Sequence, residues 1–219
     1  MSIETLDFAE PFFTIRLVAD EAEYKVGDKT ILLSLSERPI GIQDQSLAFL
    51  SSVIVANTPI NGIERAILIE RFADRADEQA LFDRVKKAWP LAFDVRKEER
   101  LRGVAHHLSP KVTIGNLRPS LYHSGSVPLN VGLHQDHPFC DVPGFKEVHT
   151  QIIGYGKMQQ CLEQDVGTLY LEEPMAPGTI HKPMYDDHGN YPWHQYETIT
   201  PSIFMAVELV PGTSGTGST

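Results

Sequence analysis

The stretch His134-Gln-Asp-His-Pro-Phe-Cys-Asp-Val-Pro-Gly-Phe-Lys-Glu-Val-His-Thr-Gln-Ile-Ile-Gly-Tyr-Gly156 sets the terms on which the rest of the chain is read. Its second part, Glu147 to Ile153, has the texture of a buried β-strand and closes in a Gly-x-Gly turn at Gly154–Gly156. Side chains alternate across a strand, so residues i, i+2 and i+4 share one face. Glu147, His149 and Gln151 therefore stand together, and so do His134 and Asp136. A stripe of Glu, His and Gln facing inward cannot be bare core. An unpaired buried charge costs several kcal/mol or more, so these groups need a metal, a partner or water. Nitrogen and carboxylate donors converging inside a barrel suit Fe(II), Mn(II), Ni(II) or Zn(II).

Outward from this stretch, the texture of a β-protein continues. From Lys111 on, short apolar runs alternate with turn residues, as in Lys111–Asn116, Val127–His137, Val148–Gln159, Gly167–Pro174, Ala176–Pro183 and Ser202–Val210. Short strands at regular spacing predict an antiparallel sandwich or barrel over 111–210. Residues 1–110 read as a mixed α/β segment packed on that barrel. Phe12–Ala19 and Lys29–Ser36 are β-rich around a Gly27-Asp28 turn, and Ser46–Asn57 is apolar and open between strand and helix. Asp74–Trp89 is the clearest helix, acidic in its first turn, closed by Lys86 and Lys87 and stopped by Pro90. Asp94–Gly103 is a charged run that predicts a solvated helix or loop. The Gly/Ser/Thr-rich tail, 211–219, predicts disorder.

All nine histidines lie between His106 and His194, and no Lys or Arg follows Lys182, so the chemistry is expected in the second half. The net charge of −10 argues against nucleic acid or an anionic membrane as partner, since both need clustered Lys and Arg. It leaves room for a small-molecule substrate. The N-terminal residues lack a signal-peptide pattern and no long apolar run occurs, so the expected location is cytoplasmic. Cys140 and Cys161 are expected to be small hydrophobes. His106-His107 is expected at the surface, His123 in a loop and His188 in a solvated turn, whereas His194, among aromatic neighbours, is a candidate for function.

The spacing resembles the cupin superfamily. In that family a histidine pair precedes a glutamate, six residues and a glycine, and a second motif has Pro-x-Gly, two residues and a histidine. Glu147 and Gly154 match the end of the first motif, and Gly178, Thr179, Ile180 and His181 match the core of the second. His134 and Asp136 take the place of the histidine pair, with Asp where the second His is usual; His137 could replace Asp136 if the strand bulges. The gap before Glu147 is longer than in the family, Ala-Pro-Gly stands for Pro-x-Gly, and Tyr185 stands where Asn is usual. The resemblance covers 111–210 and implies a mainly β fold, a double-stranded β-helix or jelly-roll. It implies a divalent metal, Fe(II) first with Mn, Ni or Zn as alternatives, held by His134 and His181 with Asp136, Glu147 or His149. His149, Gln151, His194 and Tyr196 are the candidates for catalysis and orientation. The function implied is a metal-dependent enzyme, first a non-haem Fe(II) dioxygenase. The alternatives are a cupin isomerase, lyase or cyclase using the metal as Lewis acid, or a non-enzymatic small-ligand binder. The absence of Arg or Lys after Lys182 disfavours the 2-oxoglutarate oxygenases. A homodimer through the N-terminal extension is also expected.

Overall fold

The computed structural model describes residues 2–73, 77–125, 131–139, 142, 144–186 and 190–211. Strands carry the chain to Glu70: β1 (Ser2–Leu6), β2 (Thr14–Val26), β3 (Thr30–Ser34), β4 (Ile40–Ile42), β5 (Gln45–Leu47), β6 (Ser52–Val55) and β7 (Thr58–Glu70). The ambiguous run Ser46–Asn57 thus resolves as strand. Two short helices follow, α1 (Glu78–Ala88) and α2 (Ala92–Arg96). The second half holds β8 (His106–Leu108), β9 (Leu117–Ser124), β10 (Lys146–Ile153), β11 (Gly156–Cys161), β12 (Leu169–Met175), β13 (Trp193–Thr198) and β14 (Ser202–Leu209).

The Gly27-Asp28 turn does not close a hairpin between β2 and β3. Instead β2 and β3 run on as one arm of a ribbon whose other arm is β6 and β7, with Thr14 opposite Glu70, Val26 opposite Thr58 and Thr30 opposite Val55. The ribbon rolls over so that β3 also pairs with the far end of β7, Ile31 opposite Ile69. Rolling buries both faces of β3. Ile31 and Leu33 enter one core and Leu32 another, which is why this strand is apolar throughout and does not alternate with polar residues.

Helix α1 starts later than the sequence pattern suggests. Asp77 is its N-cap, accepting from the Ala80 N–H, and Asp74 lies outside the described residues. Leu81, Phe82 and Val85 form its buried face, and Trp89 packs edge-on against Phe12.

In the second half the pairing is nested. β9 pairs with β14, the segment at His134 with β13, β10 with the segment at Ile180, and β11 with β12. Chain order thus pairs first with last, second with last but one, and so on inward, which is a long hairpin folded on itself into a jelly-roll. The resulting sheets are β8-β9-β14-β10, with Ile180 bridged to its edge, and β13-β11-β12, with His134 bridged to its edge. The barrel sheet begins at β8, a few residues before Lys111.

Alternation along the strands assigns two cores. Leu117, Leu121, Val148, Ile152, Met205 and Val207 face outward and join Ile15, Ile31, Ile67, Ile69 and the α1 residues in a core shared by both halves. Tyr122, Met158, Met175, Tyr196, Phe204 and Ala206 line the barrel interior with Leu101. Among the described residues no helix is long and apolar enough to cross a membrane.

Candidate metal centre in the barrel

The interior cavity of about 40 Å³ is lined by His106, His134, His137, Glu147, His149, His194 and Tyr196, with Arg96 and Arg100 at one wall. On β10, Glu147 and His149 point into it while Val148 points to the shared core, as the period of two requires. On β13, His194 and Tyr196 point inward, while Gln195 faces away and donates to Gln159.

His134 and His194 face each other across an isolated antiparallel bridge, each backbone N–H donating to the other's carbonyl at 3.0 Å. Their ring centroids are 4.3 Å apart. His137 lies 5.2 Å from the first ring and 5.1 Å from the second. Each of the three offers a ring nitrogen, and these nitrogens all lie within 4.8 Å of one another.

The tautomers follow from the neighbours. Nδ1 of His134 sits 2.9 Å from the Gly132 carbonyl, and Nδ1 of His194 sits 2.9 Å from the Pro192 carbonyl. A carbonyl only accepts, so each Nδ1 carries the proton and each Nε2 keeps a lone pair. Burial, with His194 and Arg100 adding repulsion, holds the His134 imidazole down at about 2. Burial likewise lowers His194 to about 4 and lowers His137. His134 and His194 are thus neutral imidazoles, each oriented by a backbone carbonyl, and with His137 they gather three ring nitrogens in the manner a divalent cation requires.

His181 is placed differently from the expectation. Its Nδ1 is 2.8 Å from the Lys182 carbonyl, and its Nε2 accepts the backbone N–H of His149 at 3.0 Å. Both ring nitrogens are engaged, so its lone pair is already used. The Gly178–His181 stretch, taken above for the second motif, lies on the segment bridged to β10, whereas the histidine facing His134 comes from β13. Asp136 is exposed and lines a separate surface hollow, while His137 lines the interior cavity; the segment is not a regular strand, its one bridge among the described residues being at His134, so strand alternation does not hold along it.

Glu147 stands beside the group, its Oε2 3.6 Å from His137 Nε2 and 3.6 Å from His149 Nε2. Burial alone would raise this carboxyl, but His149, His137 and Arg96 outweigh it and hold it well below the usual carboxylate range. His149 Nδ1 is buried with no hydrogen-bond partner among the described residues. Gln151 lies deeper, accepting from the Tyr196 hydroxyl at 3.0 Å and donating to the Ile153 carbonyl.

Other histidines also differ from the sequence reading. His106 is buried, bonds Ser124 Oγ at 2.9 Å and stacks on Tyr122 inside the barrel. His123 is fully buried in β9, bonding the Ser202 carbonyl and stacking on Phe82. His188 and Cys140 lie outside the described residues, and Cys161 is buried. The charged run Asp94–Gly103 is solvated on one side only: Asp94, Lys97, Glu99 and Arg102 are exposed, while Arg96, Glu98 and Arg100 are largely buried against the barrel. A run rich in both charges gives no sign in sequence of which members will turn inward.

The nested strand pairing, with the three histidines at the barrel interior, decides the architecture. This is a double-stranded β-helix, the jelly-roll fold. No protein-family model matches the chain, and no curated protein matches it. Solved structures similar to it include KdgF from Halomonas sp., at 12% identity over 49% of this chain and 81% of that one, TM-score 0.33. AerE from Microcystis aeruginosa is similar at 12% identity over 91% and 87%, TM-score 0.35. An oxalate decarboxylase described for its substrate binding mode is similar at 10% identity over 90% and 68%, TM-score 0.36. The jelly-roll assignment rests on the order in which the strands pair in this chain.

Proposed function

We propose that the chain is a metal-dependent cupin enzyme acting on a small organic molecule, with His134, His137 and His194 holding one divalent ion and Glu147 beside them. The observation that carries this reading is the pair of Nδ1–H bonds to Gly132 and Pro192, which turn two Nε2 lone pairs toward a common centre. Neutral imidazoles brought this close gain nothing from one another and gain much from a cation between them. Three nitrogen donors suit Fe(II), with Mn, Ni and Zn as the comparison metals. A bound metal would supply Lewis acidity and, as Fe(II), a place for O₂.

Reaction with O₂ is the first reading. The second, an isomerase, lyase or cyclase, draws on the Glu147–His149 pair. His149 sits at the cavity with one nitrogen toward a carboxylate and the other without a partner among the described residues, a placement that suits a proton carrier. Elemental analysis of the purified protein, then anaerobic reconstitution with Fe(II), Mn(II) and Zn(II), tests the metal. Oxygen uptake on exposing the Fe(II) form to air with candidate substrates supports the first reading. Turnover without oxygen uptake, equal with Mn(II) or Zn(II), supports the second. Absence of stoichiometric metal under every condition overturns both.

A further inference from the structure

We propose that Arg96 is the recognition group for a substrate carboxylate, so that the substrate class is a small carboxylic acid bound between the Arg96 wall and the histidine centre. This rests on the metal reading above and deepens it.

Among the described residues the charged side chains lining the cavity are Arg96, Arg100 and Glu147, with Glu98 behind the two guanidiniums. Two guanidiniums are matched by two carboxylates, and the imidazoles of His134, His137 and His194 are neutral. The walls alone are therefore balanced. A divalent ion adds two positive charges that no further side chain at the cavity offsets among the described residues. In a buried space that excess is costly unless the incoming ligand is an anion.

The two arginines are not equivalent. Arg100 is committed to the fold: Nε donates to Glu98 Oε2 at 2.8 Å, another nitrogen lies 2.6 Å from the same carboxylate, and a third donates to the Val131 carbonyl at 2.8 Å. Arg96 turns its Nε to Glu98 Oε1 at 2.6 Å. Among the described residues its terminal amino groups have only the Tyr122 hydroxyl, at 3.3 Å. Phe139 covers its face, with the guanidinium carbon 4.9 Å from the ring centroid. A guanidinium held at its Nε edge and stacked on a ring presents its remaining donors in a fixed plane, which suits bidentate capture of a carboxylate. Its charge reaches the site, being among the influences that depress both Glu147 and His137.

The test uses the full chain loaded with Co(II), whose visible absorption reports on its ligands, with acetate, pyruvate and malonate as probes and acetamide and malonamide as neutral counterparts. Metal content is measured separately on every sample. Wild type is expected to bind at least one acid about tenfold or more tighter than its amide. Arg96→Gln is expected to keep full metal content and weaken acid binding by about 10- to 100-fold, with amide binding unchanged. Arg96→Lys, which keeps the charge and loses the fork, is expected to fall between, and it serves as the test if Arg96→Gln does not fold. Acids binding no better than amides, or Arg96 variants binding acids as wild type does, overturns the assignment while leaving the metal site standing. A wild-type protein that takes up no metal overturns the metal reading, and with it the charge argument on which the assignment stands.

Discussion

At the residue scale, what separates the proposed metal ligands from His181 is where the second nitrogen goes. His181 and His194 are buried and His134 is half-buried, and desolvation lowers each of them, His181 to about 3. They differ in that His181 spends its Nε2 on the His149 backbone N–H. His134→Ala and His194→Ala are therefore expected to lose most bound metal, since the remaining nitrogens complete no preferred geometry. His181→Ala is expected to keep metal at wild-type stoichiometry. It should instead lose about 1–3 kcal/mol of stability, because the His149 N–H and the Lys182 carbonyl lose their partner. Elemental analysis of the three variants, with urea unfolding, checks both halves. Metal loss in His181→Ala with retention in His194→Ala would return the site to the ligand set expected from the sequence. The stretch Gly178–His181 was legible, but the bonds of His181 were not, because a spacing does not say which nitrogen is already bonded.

The element that fixes the site is β10 with the turn that follows it. Glu147, His149 and Gln151 share a face, as alternation requires, and Val148 and Ile152 take the other. Gly154 ends the strand at φ +74°, and a Cβ there would meet the Pro201 carbonyl oxygen at 2.2 Å. Both the positive φ and the close approach demand glycine. Gly154→Ala is expected to destabilise by more than about 1 kcal/mol, read from the midpoint of urea unfolding. Gly62, also at positive φ but with nothing within 4 Å of its Cβ, is the comparison. Gly62→Ala should cost less than Gly154→Ala, and equal costs would show that the contact with Pro201 contributes nothing.

For the whole molecule, burial of histidines governs the response to pH. Six of them, His106, His123, His134, His137, His181 and His194, are pushed below their ordinary value of 6.5, chiefly by desolvation. A histidine lowered in the folded state takes up protons preferentially when unfolded. Its contribution is fully present above pH 6.5 and is lost as pH falls from there toward the folded value. His123, lowered to about 4 and away from the proposed metal site, is the cleanest probe. It alone accounts for a loss on the order of 3 kcal/mol between those limits. Unfolding free energies of the metal-free protein should fall steeply from pH 7 to pH 5, and the fall should shrink in His123→Gln; a slope unchanged by that substitution would show that His123 titrates alike in both states. The shared core gives a second expectation. Leu121 belongs to the same core as Ile31 and Ile67 of the first half, so Leu121→Ala should cost about 2–5 kcal/mol and lower a single unfolding transition. Two separate transitions would mean that the halves fold apart.

The sequence by itself determined the texture: β-strands after residue 110, the inward stripe of β10, and the concentration of histidines in one half. Those depend on local periodicity and composition, which a single chain displays. Only the tertiary structure decided that the first half is a rolled ribbon, since rolling pairs β3 with β7 across more than thirty residues. It alone decided that His194, not His181, faces His134, and that Arg96 and Arg100 turn inward from a charged run. Strand partners, ring tautomers and the burial of a charge are set by contacts between residues far apart in the chain, and the physical information for them exists only once the barrel has closed.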